Sequence, residues 1–253
     1  MLQKIKTALI SVSDKSNLLP VLKVLKKNNI KIISSGGTYK AIQKLGYSTT
    51  EISIYTGSNE MLDGRVKTLH PKIHAGILYD RANKKHKLEM KKKNFSSIDL
   101  IIVNFYPFQK VVTSTSSAKN IIENIDIGGP TMVRAAAKNF NNVAIVTSKN
   151  DYSNLIKEID KNKGATTLTF RELMSSKAFG LTAYYDAMIA NWFNKKLNIE
   201  FPERKTIFGK RLQQLRYGEN PHQKSSIYVS DYNDQTLGFT QLHGKELSYN
   251  NYN

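Results

Sequence analysis

Short runs of consecutive apolar residues alternate along the chain with longer stretches in which apolar residues recur every three or four positions. Thr7 to Val12 has the nearly unbroken apolar character of a buried strand, and Leu18 to Leu25, with Leu18, Leu22 and Leu25 on one side, has helical spacing. The alternation repeats. Ile30 to Ser34 predicts a second strand, Gly36-Gly37-Thr38 a turn with Thr38 as helix cap, and Thr38 to Leu45 a helix ended by Gly46. Leu100 to Val103 and Val143 to Thr147 predict further strands. Asp151 to Lys161 and Arg171 to Phe193 predict helices, the latter running through Phe179, Tyr184, Tyr185 and Trp192. Strands separated by helices connect by right-handed crossovers, so the pattern predicts an α/β fold with a mostly parallel sheet and helices on both faces.

Several segments break the alternation. Ser53 to Asp80 has neither strand nor helix periodicity and reads as a long functional loop, with Pro71 set against a regular helix. Lys84 to Lys93 is a basic run without interleaved aromatic residues, which predicts a solvated helix face and not a nucleic-acid platform. Residues 1–194 then form a first domain and 195–213, with Pro202, Gly209 and many charges, a linker. Residues 214–253 are too few for a core of their own and read as the truncated start of a second domain. Exposed Tyr228, Tyr232 and Phe239 in that segment would favour aggregation.

Composition removes whole classes of function. With no cysteine there is no disulfide framework, thiolate nucleophile or cysteine-ligated metal, and five histidines leave little material for a metal centre. Lys+Arg number 38 against 20 Asp+Glu, a formal charge of +18. Such a balance suits a phosphate-bearing partner, nucleic acid or small metabolite, and equally a lysine-rich solvated surface. The polar start and the short apolar stretch from Ala8 to Val12 predict neither a signal peptide nor a membrane span, hence a cytoplasmic protein.

Open α/β sheets bind ligands beyond the carboxyl ends of their strands, and the residues there are polar. After the first strand come Ser13-Asp14-Lys15, after the second Ser35-Gly36-Gly37-Thr38, and after Leu100 to Val103 come Asn104-Phe105-Tyr106-Pro107. A Ser-Gly-Gly-Thr sequence opening a helix offers backbone N–H groups and a hydroxyl to a phosphate, though it is also an ordinary helix start. Gly64-Arg65-Val66-Lys67-Thr68 brings two cations and a hydroxyl together, suited to clasping an anion. His70 and His74, four apart, lack a nearby carboxylate pattern and point to structural or substrate contacts more than to a metal. Ile125-Asp126-Ile127-Gly128-Gly129-Pro130 prepares a helix that ends near Lys138, a lysine that either complements the helix C-terminus or, among other cations, exchanges protons near neutral pH.

Taken together, Ser11 to Lys15, Ser35 to Thr38, Gly64 to Pro71, His74 to Gly76, Asn104 to Phe108, Ile125 to Gly129, Arg134 to Asn139 and Leu215 to Gln223 resemble the family of bifunctional purine biosynthesis proteins, PurH. The resemblance runs from about Lys6 onward. It implies a methylglyoxal-synthase-like cyclohydrolase domain, then the entrance of an AICAR formyltransferase domain whose Lys-His pair lies beyond Asn253. The implied reaction closes formyl-AICAR ribotide to inosine monophosphate with loss of water, without cofactor or metal. By the same resemblance Ser13, Asp14, Lys15, Ser35, Gly36, Gly37, Thr38, Arg65, Val66, Thr68, Asn104 and Ile127 hold the nucleotide. Lys67, Tyr106, Asp126 and Lys138 line the reacting end, with Lys138 leading for proton transfer and backbone N–H groups near Asp126 to Gly129 expected to help an oxyanion site. Arg216 and Tyr217 contact AICAR in the incomplete second domain, whose co-substrate is 10-formyltetrahydrofolate and whose transfer activity is expected to be absent. A homodimer is also implied. Two other readings remain open: a phosphate-binding regulatory module of the same fold, which leaves Lys67, Tyr106, Asp126 and Lys138 unexplained, and a charge-driven nucleic-acid binder, for which no module is recognisable.

Overall fold

The computed structural model of the chain describes residues 1–62, 66–115, 117–230, 243–245 and 247–251. It separates into two compact units, residues 1–107 with 123–182, and 108–122 with 183–253.

The first unit is built on five parallel strands. In chain order the unit begins with a short strand β1 (Leu2–Lys4), then β2 (Thr7–Val12), helix α1 (Leu18–Lys27), β3 (Lys31–Ser34), α2 (Gly36–Lys44), β4 (Thr50–Glu51), α3 (Ile52–Thr56), α4 (Pro71–Leu78), α5 (Lys84–Lys92) and β5 (Leu100–Asn104). The sheet order is β4-β3-β2-β5 and then β6 (Ala144–Val146), every neighbouring pair parallel. Ala8 faces Ile32 on one side and Leu100 on the other, so β2 is central. Consecutive residues of β2 and β5 are buried, which means both faces of the sheet are covered. The α/β expectation is therefore met.

Helix α1 buries Leu18, Val21, Leu22, Val24 and Leu25 and packs on α9 (Tyr152–Lys161). Helix α8 (Gly128–Lys138) buries Met132, Val133 and Ala135 to Ala137, and these short alanines let it lie close to α4 and to β5 and β6. Asn139, just past α8, donates to the carbonyls of Ile77 and Tyr79 and so fastens the end of α8 to the end of α4. Residues Leu2–Lys4 pair antiparallel with β7 (Ala165–Thr167), a ribbon that three-residue strands do not announce in sequence. Helix α5 buries only Met90, as its lysine content predicts.

Two expectations are corrected. The segment from Ser53 to Asp80 is not one irregular loop, because α3 ends in it and α4 spans Pro71–Leu78. Pro71 occupies the first helical position, where its missing N–H costs nothing, and His70 caps the helix by accepting from the Lys72 amide. Likewise Gly36 and Gly37 are not a turn before the helix but its first residues, with Ser35 at the N-cap. The Thr38 hydroxyl accordingly serves not as a cap but as a tie to β2, donating to the Val12 carbonyl and accepting from the Val12 amide, both at 3.0 Å.

The second unit contains α6 (Phe108–Ser114), most of α7 (Ala118–Glu123), the latter part of α10 (Leu168–Lys196), and a hairpin of β8 (Lys210–Gln214) and β9 (Ser226–Val229). Phe108 meets Tyr185 and Trp192 edge to face, with ring centres 6.0 and 6.3 Å apart. No described helix is long and apolar enough to cross a membrane.

Glycine positions give a sharp test of this packing. A Cβ on Gly76 of α4 would lie 2.8 Å from the Ser96 carbonyl oxygen and 3.1 Å from Ile98, whereas one on Gly180 of α10 meets nothing within 4 Å. Gly76→Ala is expected to lower stability by about 1–3 kcal/mol and Gly180→Ala to raise it by roughly 0.5–1 kcal/mol, read as opposite shifts of the thermal midpoint.

Candidate functional site

The carboxyl ends of β2, β3 and β5 meet in one place, and side chains lock them together. Asn104, the last residue of β5, accepts from the Ser13 and Asp14 amides at 2.6 and 3.1 Å and donates to the Asp14 carbonyl at 3.0 Å. The Ser11 and Ser35 hydroxyls are 2.9 Å apart, joining the ends of β2 and β3. Ser13, Asp14, Lys15, Ser35 and Asn104 are thus brought together. Asn104 is a structural clamp here, its carbonyl and one N–H already engaged.

Above this clamp sits the N-terminus of α2. Its first amides have no intrahelical acceptor and carry the positive end of the helix. Gly36 adopts φ +44°, and a Cβ there would lie 2.9 Å from the Lys67 ammonium; one on Gly37 would lie 3.4 Å from Cε of Lys15. Two lysines therefore lean over a glycine pair at a helix start, and the absence of side chains lets them approach. Lys67 is also paired with Glu60, and Lys15 donates to the Ser13 carbonyl at 3.0 Å. Val66 exchanges two 3.3 Å backbone hydrogen bonds with Met61, which fixes the approach of Lys67 and Thr68. Arg65, with Gly64 before it, lies outside the described residues.

A second cluster forms where α8 begins. Asp126 accepts from the Gly129 amide at 2.8 Å and from the Tyr106 backbone. A Cβ on Gly129 would stand 2.5 Å from Asp126, and one on Gly128 would overlap the Thr68 hydroxyl, so both positions require glycine for close approach. Thr68 is 7% exposed, while Tyr106 and Ile127 are more than half exposed. The Gly129 N–H that the sequence reading offered to an oxyanion is spent on Asp126. Burial pushes the Asp126 carboxyl above its ordinary value of 3.8, against the opposing pull of the Gly129 and Tyr106 amides. Because Lys67 adjoins Thr68 and Asn104 shortly precedes Tyr106, the two clusters are continuous along the chain.

Lys138 lies elsewhere on α8. Ten residues beyond Gly128, at 1.5 Å per residue, it is about 15 Å along the axis from the Asp126 cluster. It lines a cavity of about 580 Å³ with His74 and Leu78 of α4, Thr131, Arg134, Ala135 and Ala137 of α8, Phe140, and Ser175 and Phe179 of α10. Gly128, Thr131, Ala135 and Lys138 share one face of α8 by their spacing, and a helical side chain leans toward the N-terminus, so Lys138 points back along the face that begins at Thr68. Arg134 stacks over Phe179 at 5.7 Å from the ring centre.

Sequence reasoning passed over Lys149, Arg134, Phe179 and Ser175. Lys149 follows β6 at the carboxyl edge, the same position that singled out the other candidates, and it bonds Asp14 at 2.8 Å and Ser16 at 3.1 Å. The hydrogen bond from Lys149, and after it those from the Ser16 hydroxyl and amide, hold the Asp14 carboxyl well below the usual carboxylate range. Nothing in spacing alone marks the walls contributed by α10. In the second unit the Arg216 guanidinium lies 4.8 Å from the Tyr217 ring centre, and the Ser248 and Arg216 side chains lower the Tyr217 phenol. Among the described residues no group of three or more His, Asp or Glu is arranged to hold a metal.

Residues 17–131 match the family model of the MGS-like domain, and residues 136–253 match that of the AICARFT/IMPCHase bienzyme. The bifunctional purine biosynthesis protein PurH of Bradyrhizobium diazoefficiens is 48% identical over 254 residues, covering 99% of this chain and 48% of that protein. The protein of the same name from Oceanobacillus iheyensis is 47% identical over 249 residues, covering 97% of this chain and 48% of its own length. The chain thus spans about half the length of the curated relatives it matches. The crystal structure of ForH superposes with a TM-score of 0.65 at 29% identity, over 75% of this chain and 99% of that one.

Asp126 makes a pH prediction. A carboxyl whose pKa is higher folded than unfolded binds a proton on folding, so the stability it confers is present below the unfolded value and is lost as pH rises through the folded one. From about pH 3.8 upward the parent is expected to lose stability relative to Asp126→Asn until the raised folded value is passed. Thermal midpoints of both proteins across pH 3.5 to 7 check this, and parallel curves would refute it.

Proposed function

Because the chain belongs to the PurH family of bifunctional purine biosynthesis proteins, we propose that it acts as an IMP cyclohydrolase, closing formyl-AICAR ribotide to inosine monophosphate with loss of water. The observation that carries the proposal is the convergence of Thr68, Asp126 and the Tyr106 backbone on the start of α8, with the adjoining Lys67 reaching the glycine pair at the start of α2. A regulatory phosphate-binding module needs only the second of these features.

In this reading the nucleotide phosphate meets the first amides of α2 with Lys15 above them, a helix start and a cation against one anion, and Lys67, which adjoins Thr68, is left for the reacting end. Ser13, Asp14, Ser35, Gly36, Gly37, Thr38, Val66 and Asn104 shape and stiffen that seat, Thr38 and Asn104 by holding strand ends in place. Arg65 is assigned a further anion contact by family resemblance. Thr68 and Ile127 flank the heterocycle where α8 begins, and the base end extends along the α8 face toward Lys138.

Ring closure joins the carboxamide nitrogen to the formyl carbon. The nitrogen sheds a proton as the formyl oxygen becomes a hydroxyl; that hydroxyl then takes a second proton and leaves as water while the formamide nitrogen gives up its own proton and the ring C=N bond forms. A carboxamide is a weak nucleophile, so orientation and stabilisation of charge on the formyl oxygen dominate; well-oriented intramolecular cases gain about 7–11 kcal/mol. Lys67 and Tyr106 supply a cation and a hydroxyl toward that oxygen. Asp126, raised by burial, accepts the proton or holds the attacking nitrogen, and Lys138 moves the proton to the leaving oxygen. No cofactor or metal is assigned to this step.

The remaining assignments follow the family as a whole. Arg216 and Tyr217 contact AICAR, 10-formyltetrahydrofolate serves the transferase, residues 1–194 carry the cyclohydrolase with 195–213 as linker to 214–253, and the protein works as a homodimer without nucleic acid. Assayed by itself, this 253-residue polypeptide is expected to show ring closure only.

The test is the absorbance change on mixing the protein with formyl-AICAR ribotide in the presence of a metal chelator. The parent is expected to form inosine monophosphate. Lys138→Ala is expected to lose about 10²–10⁴-fold in kcat while nucleotide affinity stays within a few-fold. A folded parent that yields no product overturns the proposal.

A further inference from the structure

His74, a wall residue of the cavity that holds Lys138, carries a buried polar atom without a partner among the described residues. His74 Nε2 is shielded from solvent and makes no hydrogen bond among the described residues. Buried polar atoms are almost always paired, and leaving one unpaired costs roughly 1–3 kcal/mol. The ring is not loosely held. His74 lies one turn into α4, its amide bonded to the His70 carbonyl at 3.1 Å, and Gly76 seats the same helix against Ser96 and Ile98. Burial pushes the imidazole below the usual histidine range, against a smaller pull from the Thr68 backbone, so near neutral pH the ring is uncharged and can accept.

The other groups of the cavity define what would fit. The Thr131 hydroxyl donates to the Ile127 carbonyl and the Ser175 hydroxyl to the Ala137 carbonyl, both at 2.7 Å, so neither offers its proton inward. Arg134 and Lys138 present cationic donors, the first steadied by Phe179. The cavity therefore pairs donors for an oxygen with an acceptor for an N–H, between apolar walls from Leu78, Ala135 and Phe179. A carboxamide carries both complements on adjacent atoms. A phosphate would leave Nε2 unpaired.

We infer that His74 contacts the substrate and accepts a hydrogen bond through Nε2 from its carboxamide N–H, while Arg134 and Lys138 face the amide oxygen. The inference rests on the cyclohydrolase reading in placing the carboxamide end of the nucleotide near Lys138. It adds an orienting contact for the attacking nitrogen, which turns that nitrogen toward the formyl carbon before the bond forms.

AICAR ribotide, which has the carboxamide but no formyl group, tests the contact without turnover, and ribose 5-phosphate serves as a probe of the phosphate seat alone. By calorimetric titration, His74→Leu is expected to bind AICAR ribotide about tenfold more weakly than the parent and ribose 5-phosphate equally well. His74→Gln, which keeps an acceptor, is expected to recover most of the affinity. In ring closure His74→Leu is expected to lose kcat more than KM, with an unchanged thermal midpoint. Equal AICAR ribotide affinity in parent and His74→Leu, or equal losses in both variants with a lowered midpoint, overturns the inference while a parent that closes the ring keeps the cyclohydrolase reading. A parent that binds AICAR ribotide through His74 yet forms no inosine monophosphate sinks that reading and leaves the contact standing.

Discussion

The start of α8 is the constraint from which the candidate site follows. Asp126 takes the backbone amides of Gly129 and Tyr106, and Gly128 is seated against the Thr68 hydroxyl. One carboxylate and two glycines thus bind the segment after β5, the segment before α4 and the helix into a single arrangement. Any side chain at 128 or 129 would drive Thr68 or Asp126 away. The close approach also buries Asp126, and burial is what raises its carboxyl, so geometry and proton affinity have the same origin.

Charge is distributed with equal economy. The chain carries a formal +18, yet most of its lysines lie on solvated faces such as that of α5. Lys15 and Lys67 differ because glycines lie beneath them at a helix start, and Lys149 differs because Asp14 and Ser16 anchor it beside the same strand ends. Local placement, not net charge, separates a candidate anion seat from a generally basic surface.

How much of this could be read beforehand depends on the range of the interaction. Strands β2, β3 and β5 and helix α1 were legible because apolar periodicity is a local property that burial enforces. Pro71 is ambiguous in sequence, since its effect depends on whether it stands at the first position of a helix or inside one, and His70 decides that by capping. The glycines at 36 and 37 suggest a turn before the helix because glycine is common in turns, whereas in the fold they are its first residues behind the Ser35 cap. The family resemblance implies that Asn104 and Thr38 contact the nucleotide, but only the fold reveals that their side chains hold the Ser13, Asp14 and Val12 backbone.

By itself the sequence determined the α/β class, the polar carboxyl edges of the strands, the exclusion of cysteine chemistry, and motifs dense enough to carry a family resemblance. These depend on residue type and short spacing, which the chain states directly. Only the tertiary structure decided that Lys67 and Lys15 share a glycine seat, that Gly129 spends its amide on Asp126, that Lys138 stands about 15 Å along α8 from that carboxylate, and that His74, at the wall of the Lys138 cavity, keeps a nitrogen without a partner among the described residues. Each of these turns on residues far apart in the chain meeting across packed helices and loops. Pairing, burial and the pKa shifts that follow are set by those meetings, and no local pattern encodes them.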